Sequence, residues 1–143
     1  MDHARLRTAT FEEIWQEVVD PLYIEAARAP SMTPARPEPV LDFLALWLLY
    51  GVACRSGLGS LVAEEPPWMA ARISSAARRL GHDDIAALWD RMSAGVDLAA
   101  QAGKTPADVC FADVGARDAL EEKLVRGDLE SWSRGCVRTP MAS

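Results

Sequence analysis

Residues 40–54 read VLDFLALWLLYGVAC, and the only charged side chain in this run belongs to Asp42. A helix on the surface of a protein has a polar face, whereas a helix that is apolar all round must be enclosed by other elements. The run is also shorter than the roughly 20 residues that a membrane-spanning helix needs. We therefore expect a central buried helix that ends at the glycine-containing turn RSGLGS, residues 55–60.

The length and composition of the chain predict one soluble domain without a membrane segment. A chain of 143 residues buries enough surface to build its own core without disulfides or a structural metal. Half of its residues are hydrophobic and a quarter are charged, which is ordinary for a globular protein. Its formal charge of −6 repels bare phosphate and favours a basic partner, so direct binding of nucleic acid is disfavoured.

The cysteines and the N-terminus predict a cytoplasmic protein. Cys54, Cys110 and Cys136 are far apart in sequence and form no C-x-x-C pair, which indicates free thiols in a reducing compartment. The first residues, MDHAR, run into a polar amphipathic stretch and lack the apolar segment of a secretory signal peptide.

The N-terminal part of the chain predicts two helices and a loop. The segment Thr10 to Glu13 has the form of a capping box, with which a helix begins. Because proline is tolerated in a first helical turn, Asp20-Pro21 is expected to interrupt this helix and to begin a second one that ends near Arg28. Residues 29–39 hold four prolines and are expected to form an extended surface loop.

The remaining helices follow from apolar periodicity and from turn residues. A helix opened by Pro66-Pro67 is expected to end before Gly81, and a second one repeats the i, i+3, i+4, i+7 stripe from Ile85 to Met92. Residues 109–114 could form a helix or an isolated strand, and we favour helix; residues 117–126 are strongly helical. The predicted fold class is therefore all-α, a single-domain bundle of about six helices around the central one. Residues 1–9 and 136–143 are expected to be frayed.

No catalytic, cofactor-binding or metal-ligating group of residues is evident in the sequence. His82 stands beside two acids, Asp83 and Asp84, but a metal site needs three or more ligands and the other histidine is His3. Acids at this position are better explained as stabilising the start of a helix.

The cysteines and glycines have ordinary structural explanations as well. Cys54 and Cys110 lie in apolar stretches, where thiols usually act as small buried hydrophobes. The segment Gly57-Leu58-Gly59 follows a helix and lacks the ending of a phosphate loop, so it is interpreted as a helix-to-helix turn.

The acids of the N-terminal helices are the candidate functional residues. An exposed acidic helix face is most often only solvated, but here it is also a candidate surface for a basic protein partner. The candidate partner-binding residues are Glu12, Glu13, Glu17, Asp20 and Glu25.

The segment from Val40 to Met92 resembles a family of small bacterial domains that includes a DNA-mimic protein. In that family an apolar helix leads into Asn-Gly-Gly-Phe, aromatic residues, a polar turn and an amphipathic helix that ends in an apolar residue and Gly. The corresponding positions here are Leu48-Leu49-Tyr50 at the end of the first helix, Gly57, Leu58 in place of Phe, Leu61-Val62 in place of the aromatic pair, and Leu80-Gly81.

The resemblance implies an all-helical fold and, in one branch of the family, binding of a transcription factor through acidic groups that imitate DNA phosphates. Arg55 and Ser56 stand where the family has Asn and its first Gly, and aliphatic residues replace the aromatic ones. A charge of only −6 spread among many arginines also differs from strict mimicry.

These observations together predict a noncatalytic cytoplasmic protein-interaction domain that binds a regulator or another protein with a basic surface. Two alternatives stay open. One is a small helical enzyme whose acid/base pair forms only in the tertiary structure, for example from His82 and a distant carboxylate. The other is an immunity-type or antitoxin protein. A homodimer is also compatible with the sequence.

Overall fold

The structure, a computed structural model, describes residues 5, 8–29, 32–36 and 38–127. Within these residues it consists of helices and turns, and six helices pack together, which confirms the predicted all-α bundle. Helix α1 comprises Phe11–Ile14, a π-helical segment Trp15–Val19 and Asp20–Arg28. The others are α2 (Glu38–Arg55), α3 (Leu58–Glu64), α4 (Pro67–Arg79), α5 (Asp83–Ser93) and α6 (Val114–Arg126).

Helix α2 is the central element of the bundle. Every residue from Leu41 to Tyr50 is buried, and α2 contacts α3, α4 and α6. The Phe43 and Trp47 rings pack against each other on this helix, with centroids 5.2 Å apart. The prediction of a helix enclosed on all sides is confirmed for this part of the run.

The one acid of the central run is buried with two arginines of α4. Asp42 accepts hydrogen bonds from Nε and Nη2 of Arg79 at 2.6 and 2.8 Å, and from Nη1 of Arg72 at 3.1 Å. Arg72 also pairs with Glu38 at the start of α2. Because a buried carboxylate is costly unless it is paired, this cluster makes a charge tolerable inside the bundle and fixes α4 against α2.

Helix α1 begins as predicted but does not break where we expected. The capping box forms: the Glu13 amide donates to Thr10 Oγ1 at 3.2 Å, and the Thr10 amide donates to Glu13 Oε1 at 3.3 Å. The expected interruption at Asp20-Pro21 is wrong, because Val19 is helical and the chain continues through a π-helical segment. A π turn shifts the hydrogen-bond register, and it lies at the place where Pro21 cannot donate and its ring would crowd an α-helix.

The prolines and glycines elsewhere act as helix boundaries. Helix α2 starts at Glu38, slightly earlier than expected, since proline is compatible with a first turn. In the loop before α2, Pro34 is buried and Arg36 pairs with Glu25 of α1 at 2.7 Å, so the loop packs against the body. Between α4 and α5, Gly81 has a φ of 83°, the left-handed value expected at the end of α4.

Residues 95–113 connect α5 to α6 mainly through turns and irregular backbone, with short 3-10 segments at Ala99–Gln101 and Pro106–Asp108. The favoured helix over 109–114 is wrong for all but its last residue, because α6 begins at Val114, where the Asp113 side chain accepts from the Ala116 amide at 2.9 Å. Cys110 is exposed, which contradicts the expectation of a buried thiol. The buried Gln101 side chain bonds both the amide and the carbonyl of Cys110, so this backbone is held without a helix.

The N-terminus is described only in part, and residues 136–143 lie outside the described residues. Ala9 is buried and its amide donates to the carbonyl of Arg5 at 2.9 Å. No helix in the described part of the chain combines the length and the apolar character needed to cross a bilayer.

Candidate functional site

The predicted acidic residues lie on α1, and arginines neutralise some of them. Glu13 pairs with Arg5, and the hydrogen bonds of its capping box are the main reason why its pKa is lowered. Arg5 also lies 3.8 Å from Glu17. Glu25 pairs with Arg36 of the following loop. Three of the five acids, Glu13, Glu17 and Glu25, therefore have an arginine within ion-pair distance.

Among the described residues, no cation lies within ion-pair distance of Glu12 or Asp20. Both are exposed, and neither forms an ion pair with any residue that the structure describes. Glu12 accepts a hydrogen bond from the Gln16 side chain at 2.8 Å, which leaves its charge in place. The structure thus separates the five predicted residues into a partly neutralised set and these two.

Asp20 also lines a cavity of about 190 Å³ beside α1. The cavity lies where α1, the central helix and the junction of α3 with α4 meet. The lining residues are Val19, Asp20, Tyr23, Leu48, Arg55 and Glu65.

Glu65 is a partly buried carboxyl group of this cavity. It follows the last residue of α3, and its amide donates to the Leu61 carbonyl at 3.2 Å. Its carboxyl group shares the cavity with Tyr23, and its Oε2 atom is buried and has no hydrogen-bond partner among the described residues. Burial raises the pKa of Glu65 and Glu64 adds to that effect, while Tyr23 and the charge of Arg55 oppose it. The pKa of Tyr23 is raised as well, first by burial and then by Glu65.

Arg55 is the basic residue of the cavity, yet it does not pair with the acids. Its Nε donates to the carbonyl of Gly51, one turn earlier in α2, at 3.2 Å. In the described part of the chain Arg55 forms no ion pair with Asp20 or Glu65. Asp20 and Glu65 therefore line the same cavity, and neither forms an ion pair with a described residue.

His82 stands at the start of α5 beside a charge pair that joins two helices. Asp84 pairs with Lys123 of α6 at 2.6 Å and accepts from the Ile85 amide. Burial lowers the pKa of His82, an effect that Asp84 opposes and Lys123 reinforces. The interpretation of these acids as helix-start residues agrees with this geometry.

The remaining candidate groups give no metal site among the residues described. No set of three or more His, Cys, Asp or Glu side chains in that part of the chain could hold a metal ion. The Cys54 side chain and all of Cys136 lie outside the description. Trp47 and Trp89 are buried and Trp68 is partly buried, so these three tryptophans form no exposed face.

Sequence reasoning missed Tyr23, Arg55 and Glu65 as a group. Glu65 directly precedes the helix start predicted at Pro66-Pro67, and Tyr23 lies within the predicted helix that ends near Arg28, so neither position carries a signal of a shared cavity. One local signal was present: Asp20-Pro21 marks an irregularity in a helix, and π-helical irregularities occur frequently at functional sites.

Comparison of the chain with protein-family models, with curated proteins and with solved structures finds no match. The resemblance of the segment from Val40 to Met92 to the small bacterial family therefore stays a prediction.

Proposed function

We propose that this protein is a noncatalytic interaction domain that binds a basic surface of another protein through the acidic face of α1. The observation that carries the proposal is the charge of this helix. From Thr10 to Ala27 the sequence contains five acids and no lysine or arginine, and three of these acids, Glu12, Glu17 and Asp20, are exposed.

The arginines near α1 do not remove this binding capacity. The pairs formed by Arg5 and Arg36 join side chains that are about 35–51% exposed. Ion pairs of this kind contribute only about 0–1 kcal/mol, so a partner could replace them at small cost. Complementary charge of this sort mainly accelerates association and selects the partner, and it weakens as salt screens it.

A charge-neutralised variant tests the proposal. The variant Glu12→Gln/Glu17→Gln/Asp20→Asn keeps the shape of α1 and removes three exposed charges. A matched control removes the same number of exposed acids on the opposite half of the chain: Asp97→Asn, Asp118→Asn and Glu122→Gln.

The wild type would be used to capture a partner from a lysate, and the purified partner would then be titrated against all three proteins by calorimetry. We expect the α1 variant to bind at least about tenfold more weakly, which is about 1.4 kcal/mol, and the control to bind as the wild type does. Equal affinity of the wild type and the α1 variant would contradict the proposal, and so would a captured partner without a basic surface.

The cavity supports a second candidate function, a small acid/base enzyme. A carboxyl group with a raised pKa that shares a cavity with a tyrosine, as Glu65 does with Tyr23, is suited to general acid/base catalysis. Turnover of a small substrate that is lost in Glu65→Gln, and kept in Glu64→Gln, would favour this function over the interaction domain.

A further inference from the structure

We infer that the cavity lined by Asp20, Tyr23 and Glu65 receives an arginine side chain of the protein partner. This inference rests on the proposed function, because it assigns to the basic partner a specific residue and to this chain the site that holds it. It adds Tyr23 and Glu65, which the acidic face of α1 does not include, and it shares Asp20 with that face.

The shape of the cavity suits a long side chain with a polar end. Its volume of about 190 Å³ is roughly six times the ~30 Å³ that one water molecule occupies in the liquid. The walls include the aliphatic side chains of Val19 and Leu48, against which the stem of an arginine could pack. Asp20 and Glu65 line the same space and offer carboxyl groups to its charged end.

Glu65 has an acceptor atom that lacks a hydrogen-bond donor among the described residues. Its Oε2 atom is buried without a partner among the described residues, and a buried acceptor left without a donor is unfavourable. Tyr23 lines the same cavity, yet Oε2 is still without a donor among the described residues. A guanidinium group carries several N–H donors in a plane and commonly forms two parallel bonds to one carboxylate.

The charges around the cavity favour a cation over an anion. Asp20 and Glu65 line it, Glu64 adjoins it, and Arg55 donates to the Gly51 carbonyl rather than to either acid. An anion would meet three carboxyl groups and one arginine. Arginine suits a partly enclosed site better than lysine does, because its charge is delocalised and more weakly hydrated.

The test uses two small probes, N-acetyl-arginine methylamide and its uncharged analogue N-acetyl-citrulline methylamide. Each is titrated into the full-length protein, and binding is followed by amide and carboxyl NMR signals. We expect saturable shifts at Tyr23, Leu48 and Glu65 with the arginine probe, and at least about tenfold weaker binding of the citrulline probe, since it lacks the charge.

Two variants at adjacent positions show whether Glu65 itself holds the probe. Glu65→Gln keeps the size of the side chain and should weaken the arginine probe at least about tenfold. Glu64→Gln, the matched control on an exposed neighbour, should bind within about twofold of the wild type, since it leaves Oε2 of Glu65 in place.

The titration of Glu65 supplies a readout that a merely structural role would not change. Saturation with the arginine probe should lower the pKa of Glu65, because a cation in contact stabilises its charged form. The neighbouring groups that also act on its pKa, Tyr23, Glu64 and Arg55, are present in both states, as is Asp20 in the same cavity, so they do not produce this change.

Equal binding of both probes, unchanged binding by Glu65→Gln, or shifts confined to Glu12 and Glu17 would each overturn the inference. The outcome is separable from that of the proposed function. If the α1 variant loses the partner but the arginine probe leaves the cavity empty, the inference fails and the interaction surface stands. If the probe enters the cavity but the α1 variant keeps the partner, the acidic surface fails instead.

Discussion

Replacing Asp42 by asparagine should destabilise the bundle more than any change of an exposed charge. The substitution keeps the size of the side chain and removes the negative charge that two arginines of α4 share. The carboxylate is buried, with a side-chain exposure of 3%, and accepts three hydrogen bonds of 2.6 to 3.1 Å from Arg79 and Arg72.

The magnitude depends on what happens to the two arginines. Breaking a buried ion pair by removing one partner costs about 3–5 kcal/mol when the other charge stays buried. Arg79 is 51% exposed and can turn toward water, whereas Arg72 is 15% exposed and keeps its contact with Glu38. We therefore expect Asp42→Asn to lower the free energy of unfolding by about 2–3 kcal/mol, below the full range for a buried pair.

Urea denaturation at neutral pH, followed by circular dichroism and by tryptophan fluorescence, measures this loss. Glu38→Gln is the matched control, because Glu38 contacts the same Arg72 but is 69% exposed. It should cost less than about 1 kcal/mol. If Asp42→Asn stays within about 0.5 kcal/mol of the wild type, or if the control costs as much, then the cluster does not fix α4 against α2 as described.

Three further predictions concern stability. Gly59→Ala should cost about 1–3 kcal/mol, because its Cβ would lie 2.5 Å from a backbone carbonyl oxygen of the second 3-10 segment. Gly51→Ala should instead stabilise the protein by about 0.5–1 kcal/mol, because a Cβ has room at this position of α2. Thermal unfolding measures both variants, and unfolding temperatures that shift in the same direction would contradict the two predictions. Glu121→Ala should cost about 0.5–2 kcal/mol, since its carboxylate accepts from the first amide of α3 at 2.9 Å; a similar loss in the exposed control Glu122→Ala would refute this role. The pKa of Glu65 is raised in the folded protein. The wild type should therefore lose stability relative to Glu65→Gln as the pH rises from about 4.3, the ordinary pKa of a glutamic acid, through the raised pKa of Glu65. Denaturation at a series of pH values measures that difference, which should become independent of pH at low pH; a difference that stays constant over the whole series would contradict the reasoning.

Local pattern was sufficient for most of the helices. Thr10 and Glu13 form the expected capping box, Gly81 ends α4 in a left-handed conformation, and Ile85 and Met92 are buried as their stripe predicted. These features depend on residues within one or two helical turns of each other, which is the range over which periodicity and capping act.

Local sequence pattern failed to predict three features of the structure. The proline at position 21 does not break α1, since the preceding π-helical segment accommodates it. The segment around Cys110 is not helical, because the Gln101 side chain takes both of its backbone hydrogen bonds. The helix α3 begins at Leu58 with a cap that comes from Glu121, 63 residues away.

The sequence by itself determined the all-α class and the burial of the central helix, because a run with one charge and no polar face has no stable place except among other helices. Only the tertiary structure decided which groups meet. The arginines of Asp42 lie 30 and 37 residues further along the chain, and the cavity at Glu65 draws its walls from three separate elements. These contacts between residues distant in sequence depend on how the helices pack against one another. The periodicity of a single segment carries no information about its neighbours in space.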